Sequence, residues 1–235
     1  MYSKSAHYYD LVYKTLKNYE DEARQIKELI LQYNPEAKKI LDVACGSGEH
    51  HRHLKGDFKI TGLDLNIEFV TIAQEKNPEC HYEHQDMRAF EINNRFDAII
   101  CMFSSIGYLK SEEEVRKTLK CFKEHLAQDG VIIVEPWFTP SSWHTPHIHM
   151  MTAEAEGLKI CRASSSQSEG RTSRADMHYL IATNEGVEYF SEEHALTLFT
   201  VEEMKSAFES VGLRVKHQAD GIIGRGLYVA QLYSY

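Results

Sequence analysis

Residues 40–48 read Ile-Leu-Asp-Val-Ala-Cys-Gly-Ser-Gly: an apolar run of strand length, broken by one carboxylate and closed by two glycines one residue apart. No other stretch constrains the fold as strongly. A buried strand that ends in glycines and leads into a helical stretch opens a βα unit, and its loop lets backbone approach a ligand without Cβ interference. A dinucleotide loop would place a third glycine at position 51, where His51 stands. A phosphate-cradling loop would follow Gly48 with Lys, where Glu49 stands. The loop therefore suits a ligand that brings no phosphate to it.

The rest of the chain extends this unit. Strand patterns at 39–43, 59–64, 80–84, 96–103 and 131–135 alternate with helical patterns at 67–76 and 112–126, after a helical pattern over 21–32. That order predicts an α/β fold, a Rossmann-like, mostly parallel sheet with helices on both faces. Right-handed crossovers bring the carboxyl ends of the parallel strands to one edge, where a ligand binds. Beyond Pro136 the pattern changes. Alternating stretches at 157–164, 175–182 and 188–198 read as antiparallel strands, so residues 140–195 are expected to form a β-rich insertion after strand five. Helical spacing returns over 200–211, with Gly212 as the stop, and strands near 213–219 and 227–233 complete the sheet. The chain thus divides into 1–139, with N-terminal lid helices and the cofactor half, 140–195 for acceptor binding, and 196–235.

Charge narrows the partner. The chain carries 26 Lys and Arg against 35 Asp and Glu, a formal charge of −9, with no basic block to neutralise a row of phosphates. A nucleic-acid partner is disfavoured and a small molecule expected. Five cysteines form no CxxC pair and leave one over, which suits a reducing compartment. No run of about eighteen apolar residues occurs, and the first residues show no apolar signal region. No membrane partner and a cytoplasmic location are expected.

Two acids follow the loop at informative distances. Asp64 ends the second strand pattern eighteen residues after Gly46, close to the spacing at which a carboxylate accepts from ribose hydroxyls. Asp86 stands directly before Met87 and could accept from an adenine amino group. Either acid alone could be a helix N-cap; their joint spacing behind Gly46 favours a site. Ribose, adenine and a short cationic chain together describe S-adenosyl-L-methionine.

In these segments the sequence resembles the class I S-adenosylmethionine-dependent methyltransferases: Leu41 to Gly48 as the glycine-rich loop, Gly62-Leu63-Asp64 as the second-strand acid, and Asp86-Met87 as the adenine side. The resemblance implies a cofactor set of Tyr13, Ala44, Cys45, Gly46, Gly48, Asp64, Leu65, Asp86, Met87 and Met102, with Ala44 and Gly46 at the methionine portion and Met102 at the sulfonium. Tyr9 to Tyr13, Met102 to Leu109, Glu124-His125-Leu126, Glu135-Pro136-Trp137, Thr197-Leu198-Phe199 and Gly224 to Val229 resemble more narrowly the N,N-dimethyltransferases of nucleotide-linked amino-dideoxysugars in antibiotic (macrolide) biosynthesis. That similarity implies N-methylation of an amine on a thymidine diphosphate amino sugar, and a homodimer built through the insertion.

Tyr13 and His125 are the candidate catalytic residues, able to steer the amine. Ser104, Ser105, Trp137 and Arg225 are the candidate acceptor contacts, Trp137 offering a flat face and Arg225 a fork for a diphosphate. His125, at the end of a helical pattern, also fits a C-terminal cap. Other readings stand beside this one: O- or N-methylation of another small metabolite, and a non-catalytic binder of the cofactor. Histidines cluster at 50, 51 and 53, at 81 and 84, and at 144, 147 and 149, but no recognisable spacing completes a tetrahedral set, and no metal is expected.

Overall fold

The computed structural model describes residues 4–233; Met1, Tyr2 and Ser3, in the stretch searched above for an apolar signal region, lie outside the described residues, as do Ser234 and Tyr235. The chain opens with helices α1 (Ala6–Tyr13) and α2 (Tyr19–Tyr33), then runs β1 (Lys39–Val43), α3 (His51–Leu54), β2 (Lys59–Asp64), α4 (Ile67–Lys76), β3 (His81–His84) and β4 (Phe96–Cys101). After a single 3-10 turn at Ser105–Tyr108 come α5 (Glu112–His125) and β5 (Leu126–Val134). Four long strands follow, β6 (His147–Ala155), β7 (Leu158–Glu169), β8 (Thr172–Thr183) and β9 (Gly186–Thr197), and α6 (Val201–Ser210), β10 (Leu213–Gln218) and β11 (Leu227–Leu232) close the chain.

Two sheets result. The larger has the order β10-β11-β5-β4-β1-β2-β3, parallel from β5 to β3, with β11 antiparallel to both β5 and β10. The chain winds outward from β1 to β3 and then returns to β4, so the β1/β4 boundary is the crevice at which such folds bind ligands. Alternation along the strands feeds two cores. Leu41, Val43, Ile99 and Ile132 pack with Leu119, Phe122 and Phe208 on one face, and Ile40, Ile60, Ile100 and Ile133 pack with Ile26, Ile30 and Ala73 on the other.

Helix starts follow local chemistry. Asn18, Asn66 and Ser111 accept from backbone N–H groups of the first turns of α2, α4 and α5, and Thr200 and Glu203 form a capping box on α6. Gly212, with φ of +77°, ends α6 as expected.

The structure differs from the sequence reading in places: β5 begins at Leu126, where the helical pattern runs to 126 and the strand pattern starts at 131. Strand four stops at Cys101 instead of reaching 103, because Phe103 and Ser104 take positive φ (52° and 64°) and turn the chain out of the sheet. The insertion has four strands where three stretches were legible; the added one, β6, carries His147 and His149. Strands β6 to β9 form a separate antiparallel meander with continuous register.

Candidate active site

The loop after β1 turns through Ala44 (φ 60°) and Gly46 (φ 54°). A Cβ on Gly46 would meet nothing within 4 Å, because it would point into a cavity. The Gly46 N–H donates to Asp64 Oδ2 at 2.9 Å, and Asn66 N–H donates to Asp64 Oδ1 at 2.8 Å. A carboxylate has about four lone-pair positions, so Asp64 keeps acceptor capacity on its cavity side. Burial raises its pKa above the usual carboxylate range, opposed by the N–H bonds from Asn66 and Gly46. Gly48 behaves differently. It does not line the cavity; a Cβ there would stand 2.9 Å from the Tyr82 hydroxyl and 3.1 Å from Ala73. Its inclusion in the cofactor set is corrected: Gly48 permits close packing, and its carbonyl accepts from Asn77 at 3.0 Å.

Beneath the loop lies a buried chain that the sequence did not reveal. His51, fully buried, pairs through Nε2 with Asp42 at 2.9 Å and through Nδ1 with the Tyr82 hydroxyl at 2.7 Å. The residue that displaces the third glycine is thus the partner of the carboxylate inside β1. It fixes the loop from below.

Helix α1 crosses above the loop. Asp10 accepts from Ser47 Oγ and from Lys76 Nζ, and Lys76 also reaches Glu49 at 2.8 Å. Tyr9 packs at a tilt against Tyr13 (centroids 4.4 Å apart) and edges onto Phe69, while Tyr13 edges onto Phe103 at 5.2 Å. Lys17 is buried with its ammonium 3.6 Å from the Phe103 ring centroid and 2.9 Å from Glu22, which also meets His50 at 2.9 Å. Burial holds the Lys17 pKa below its ordinary value against the nearby Glu22 charge.

The turned end of β4 is held by Glu135, whose Oε2 accepts from Phe103 N–H at 2.6 Å. Ser104, expected to touch the acceptor, is 1% exposed; its hydroxyl donates to the Pro136 carbonyl and accepts from Arg225. Its assignment is corrected: it orients Arg225 and does not face the cavity. Arg225 lines the cavity with its guanidinium carbon 4.7 Å from the Trp137 ring centroid and 5.1 Å from that of Phe138, and Trp137 itself donates to Ser173 Oγ at 2.8 Å. Ser105, Met102, Leu65, Cys45 and Ala44 also line it.

His125 lies elsewhere. Its Nδ1 bonds the Cys121 carbonyl at 2.8 Å, its Nε2 accepts from Ile92 N–H, and its ring packs on Phe90. The proposed catalytic role is corrected because His125 ends α5 directly before β5 begins, at the opposite end of the strands from the cavity. Asp86 and Met87 do line the cavity, but Arg88 grips the Asp86 carboxylate through Nε and Nη2, holding its pKa below the usual carboxylate range. Arg88 also pairs with Glu114.

The inner face of the insertion supplies residues that sequence reasoning missed or left vague. Register places His149, Ser164, Met177 and Glu192 in one row, and Met151, Arg162, Tyr179 and Phe190 in the next. Arg162 is 5% exposed and lies 5.2 Å from the Tyr13 ring centroid, with Nε and Nη1 lacking acceptors among the described residues. The period-2 alternation was the available signal, but it does not say which face is inward.

Gly46, Asp64, Asp86, Met102, Tyr13, Arg162, Trp137 and Arg225 line one cavity of about 1370 Å³. Its loop end combines an uncrowded glycine, a buried carboxylate with spare acceptor capacity, and an arginine already neutralised by two acids. That chemistry fits an adenosyl group without phosphates and a cationic sulfonium. Among the described residues no group of three His, Cys, Asp or Glu could hold a metal ion, and no helix is long and apolar enough to cross a membrane.

Residues 40–130 match the family model described as a methyltransferase domain. The chain is 40% identical over 226 residues to the dTDP-3-amino-3,6-dideoxy-alpha-D-glucopyranose N,N-dimethyltransferase of Streptomyces fradiae, covering 95% of this chain and 89% of that one. Among solved structures it is similar to the sugar N-methyltransferase KedS8 from Streptoalloteichus, with a TM-score of 0.90, 33% identity and coverage of 96% and 93%. It is also similar to SAM-bound CalS10, an amino pentose methyltransferase from Micromonospora echinaspora, with a TM-score of 0.84, 31% identity and 92% of each chain covered. These relatives are enzymes, so the non-catalytic alternative is set aside. Fold, loop and relatives agree that the chain is an S-adenosylmethionine-dependent methyltransferase and belongs to the family of the sugar N,N-dimethyltransferases.

Proposed function

We propose that this enzyme methylates, twice, the amino group of a deoxysugar linked to thymidine diphosphate. The carrying observation is a single cavity with two unlike ends. One drug-sized ligand fills about 300–1,000 Å³, and 1370 Å³ accommodates a cofactor and an acceptor side by side. The end at Gly46 and Asp64 suits a nucleoside, whereas the end at Arg162, Arg225 and Trp137 offers guanidinium donors and flat aromatic faces to a diphosphate and its base.

In this reading residues 1–139 hold the cofactor through Ala44, Cys45, Gly46, Asp64, Leu65, Met87 and Met102, with Asp86 acting through Arg88 to shape the adenine side. Residues 140–195 carry the acceptor together with Ser105, Trp137 and Arg225, and residues 196–235 complete the sheet. When bound, the cofactor supplies a methyl group on a sulfonium, already activated for in-line displacement. The protein's contribution is alignment and exclusion of water, and holding two reactants in a reactive pose is worth up to about 7–11 kcal/mol. Tyr9, Tyr13 and Phe103 form an aromatic wall between the two ends, suited to a cationic centre passing from sulfur to nitrogen. Helix α1, tied to Ser47 and Lys76 through Asp10, covers that wall.

The test offers 3-amino and 4-amino deoxysugars on thymidine diphosphate, alongside free amino acids and phenols, and resolves products by mass spectrometry. Mono- then dimethylated nucleotide sugar is expected; transfer only to amino acids or phenols would overturn the reading in favour of another small metabolite. Ile148, Met150, Leu180, Val187 and Tyr189 are exposed on the outer face of the insertion, and this apolar surface is the proposed contact in a homodimer, to be checked by sedimentation of a Met150→Lys variant. The unpaired cysteines accord with a cytoplasmic location.

A further inference from the structure

Methyl transfer to an amine leaves a proton problem that the residues discussed so far do not address. An amino sugar arrives largely as R–NH3+, which has no lone pair. After the first transfer it becomes R–NH2CH3+, which again must lose a proton before a second. Two protons leave the acceptor for each dimethylated product.

One chain of side chains on the cavity wall is built to receive them. Tyr108, in the 3-10 turn after β4, and His194, on the inner face of β9, both line the cavity. The Tyr108 hydroxyl lies 2.8 Å from His194 Nδ1. His194 is 2% exposed, and its Nε2 stands 3.7 Å from the Glu192 carboxylate, outside hydrogen-bond length but close enough to stabilise positive charge on the ring. Glu192 is fixed in turn: Lys4 N–H and Ser5 N–H donate to Oε1, and Ser5 Oγ donates to Oε2. Tyr108 lines the same cavity as the aromatic wall of Tyr9, Tyr13 and Phe103. The same sheet face presents Arg162, His147, His149 and Tyr179, so the field at His194 combines one carboxylate with a guanidinium two strands away.

We infer that Tyr108, His194 and Glu192 form the proton-accepting chain for the acceptor amine. The N–H bond of the ammonium breaks with its electron pair kept on nitrogen; the proton passes to the Tyr108 oxygen as the tyrosine's own proton passes to His194 Nδ1. The resulting imidazolium is stabilised by Glu192 and returns its proton to solvent between rounds. Glu192 also holds the residues that lead into α1, so the carboxylate that serves the relay is tied to the lid helix.

This inference rests on the amine-methylating function proposed above, and the experiment separates the two. Wild type, His194→Gln and Tyr108→Phe are compared on the nucleotide amino sugar between about pH 6 and 9.5, with kcat, KM and the ratio of mono- to dimethylated product recorded. For both variants we expect kcat near pH 7 to fall about 100-fold, with acceptor KM little changed. Activity should recover as pH rises and solvent takes over deprotonation, and released monomethyl product should accumulate. A fall in kcat that is uniform with pH, or a rise in KM with an unchanged product ratio, would overturn the relay and leave the chain a purely structural link. Tyr108→Phe keeps the ring and carries the same test if His194→Gln does not fold; calorimetric cofactor binding checks that either variant retains its pocket. A wild-type enzyme that methylates no amino sugar would overturn the proposed function itself.

Discussion

The two walls of the cavity are built on opposite principles. The wall formed by the seven-stranded sheet uses backbone: a glycine at positive φ, a Phe-Ser pair turned out of the strand, and N–H groups gripped by Asp64 and Glu135. The wall formed by the insertion uses side chains projecting from one face of an antiparallel meander: Arg162, Ser164, Ser166 and His194. Backbone placed at strand ends gives a fixed frame that suits an invariant cofactor. A sheet face can change one side chain at a time without disturbing its hydrogen-bond ladder, which suits an acceptor that differs among relatives.

Substitutions can break or sharpen that contrast. The largest effect is expected from Gly46→Val. A valine at φ near +54° bears about 1–2 kcal/mol of strain, and its methyls enter the cavity. Cofactor affinity measured by calorimetry should fall at least about 100-fold, near 2.7 kcal/mol, with the acceptor wall intact; unchanged affinity would place the cofactor elsewhere.

Asp42→Ala should act on stability instead. It leaves the buried His51 imidazole short of a partner, at roughly 2–3 kcal/mol for a stranded buried polar group, read as a lower urea midpoint. A stability loss below about 0.5 kcal/mol would mean that the His51 chain does not support the loop.

On the other wall, Arg162→Gln should raise the acceptor KM about tenfold, near 1.4 kcal/mol, and leave cofactor affinity unchanged. Loss of both would show that the walls are not separable.

The smallest effect is one of pH. Burial alone would raise the Glu192 pKa, but the nearby His194 ring and hydrogen bonds from the Ser5 hydroxyl and the Lys4 and Ser5 N–H groups outweigh it and hold the group at about 2. An unfolded glutamate titrates near about 4.3, so this carboxylate contributes stability above that pH and the contribution is lost as pH falls towards 2. Hydrogen exchange in α1 should therefore quicken on acidification below about pH 4.3 in the wild type and be nearly pH-independent there in Glu192→Gln, after correction for intrinsic rates.

Legibility in the sequence followed the same divide. The order of β1 to β5, the glycine bend and Asp64 could be read directly, because strand length, apolar runs and glycine spacing are local and the sheet edge follows from handedness. Local reasoning failed where it assigned roles by neighbourhood. Ser104 sits one residue from the cavity wall yet faces Pro136 and Arg225, because Phe103 and Ser104 reverse the expected strand alternation. Of the two readings the sequence offered for His125, substrate contact and helix cap, the structure places it at the helix end. His194 and Arg162, in contrast, do not stand out from the alternating strands that carry them.

By itself the sequence determined the winding of the sheet, the bend of the first loop and the phosphate-free nature of its ligand, since each depends on residues within a few positions of one another. The tertiary structure alone decided which face of the insertion turns inward, that His51 serves Asp42, and that Glu192 joins the start of α1 to His194. Those contacts unite segments up to 188 residues apart, and a period of two specifies alternate faces without saying which of them meets the rest of the molecule.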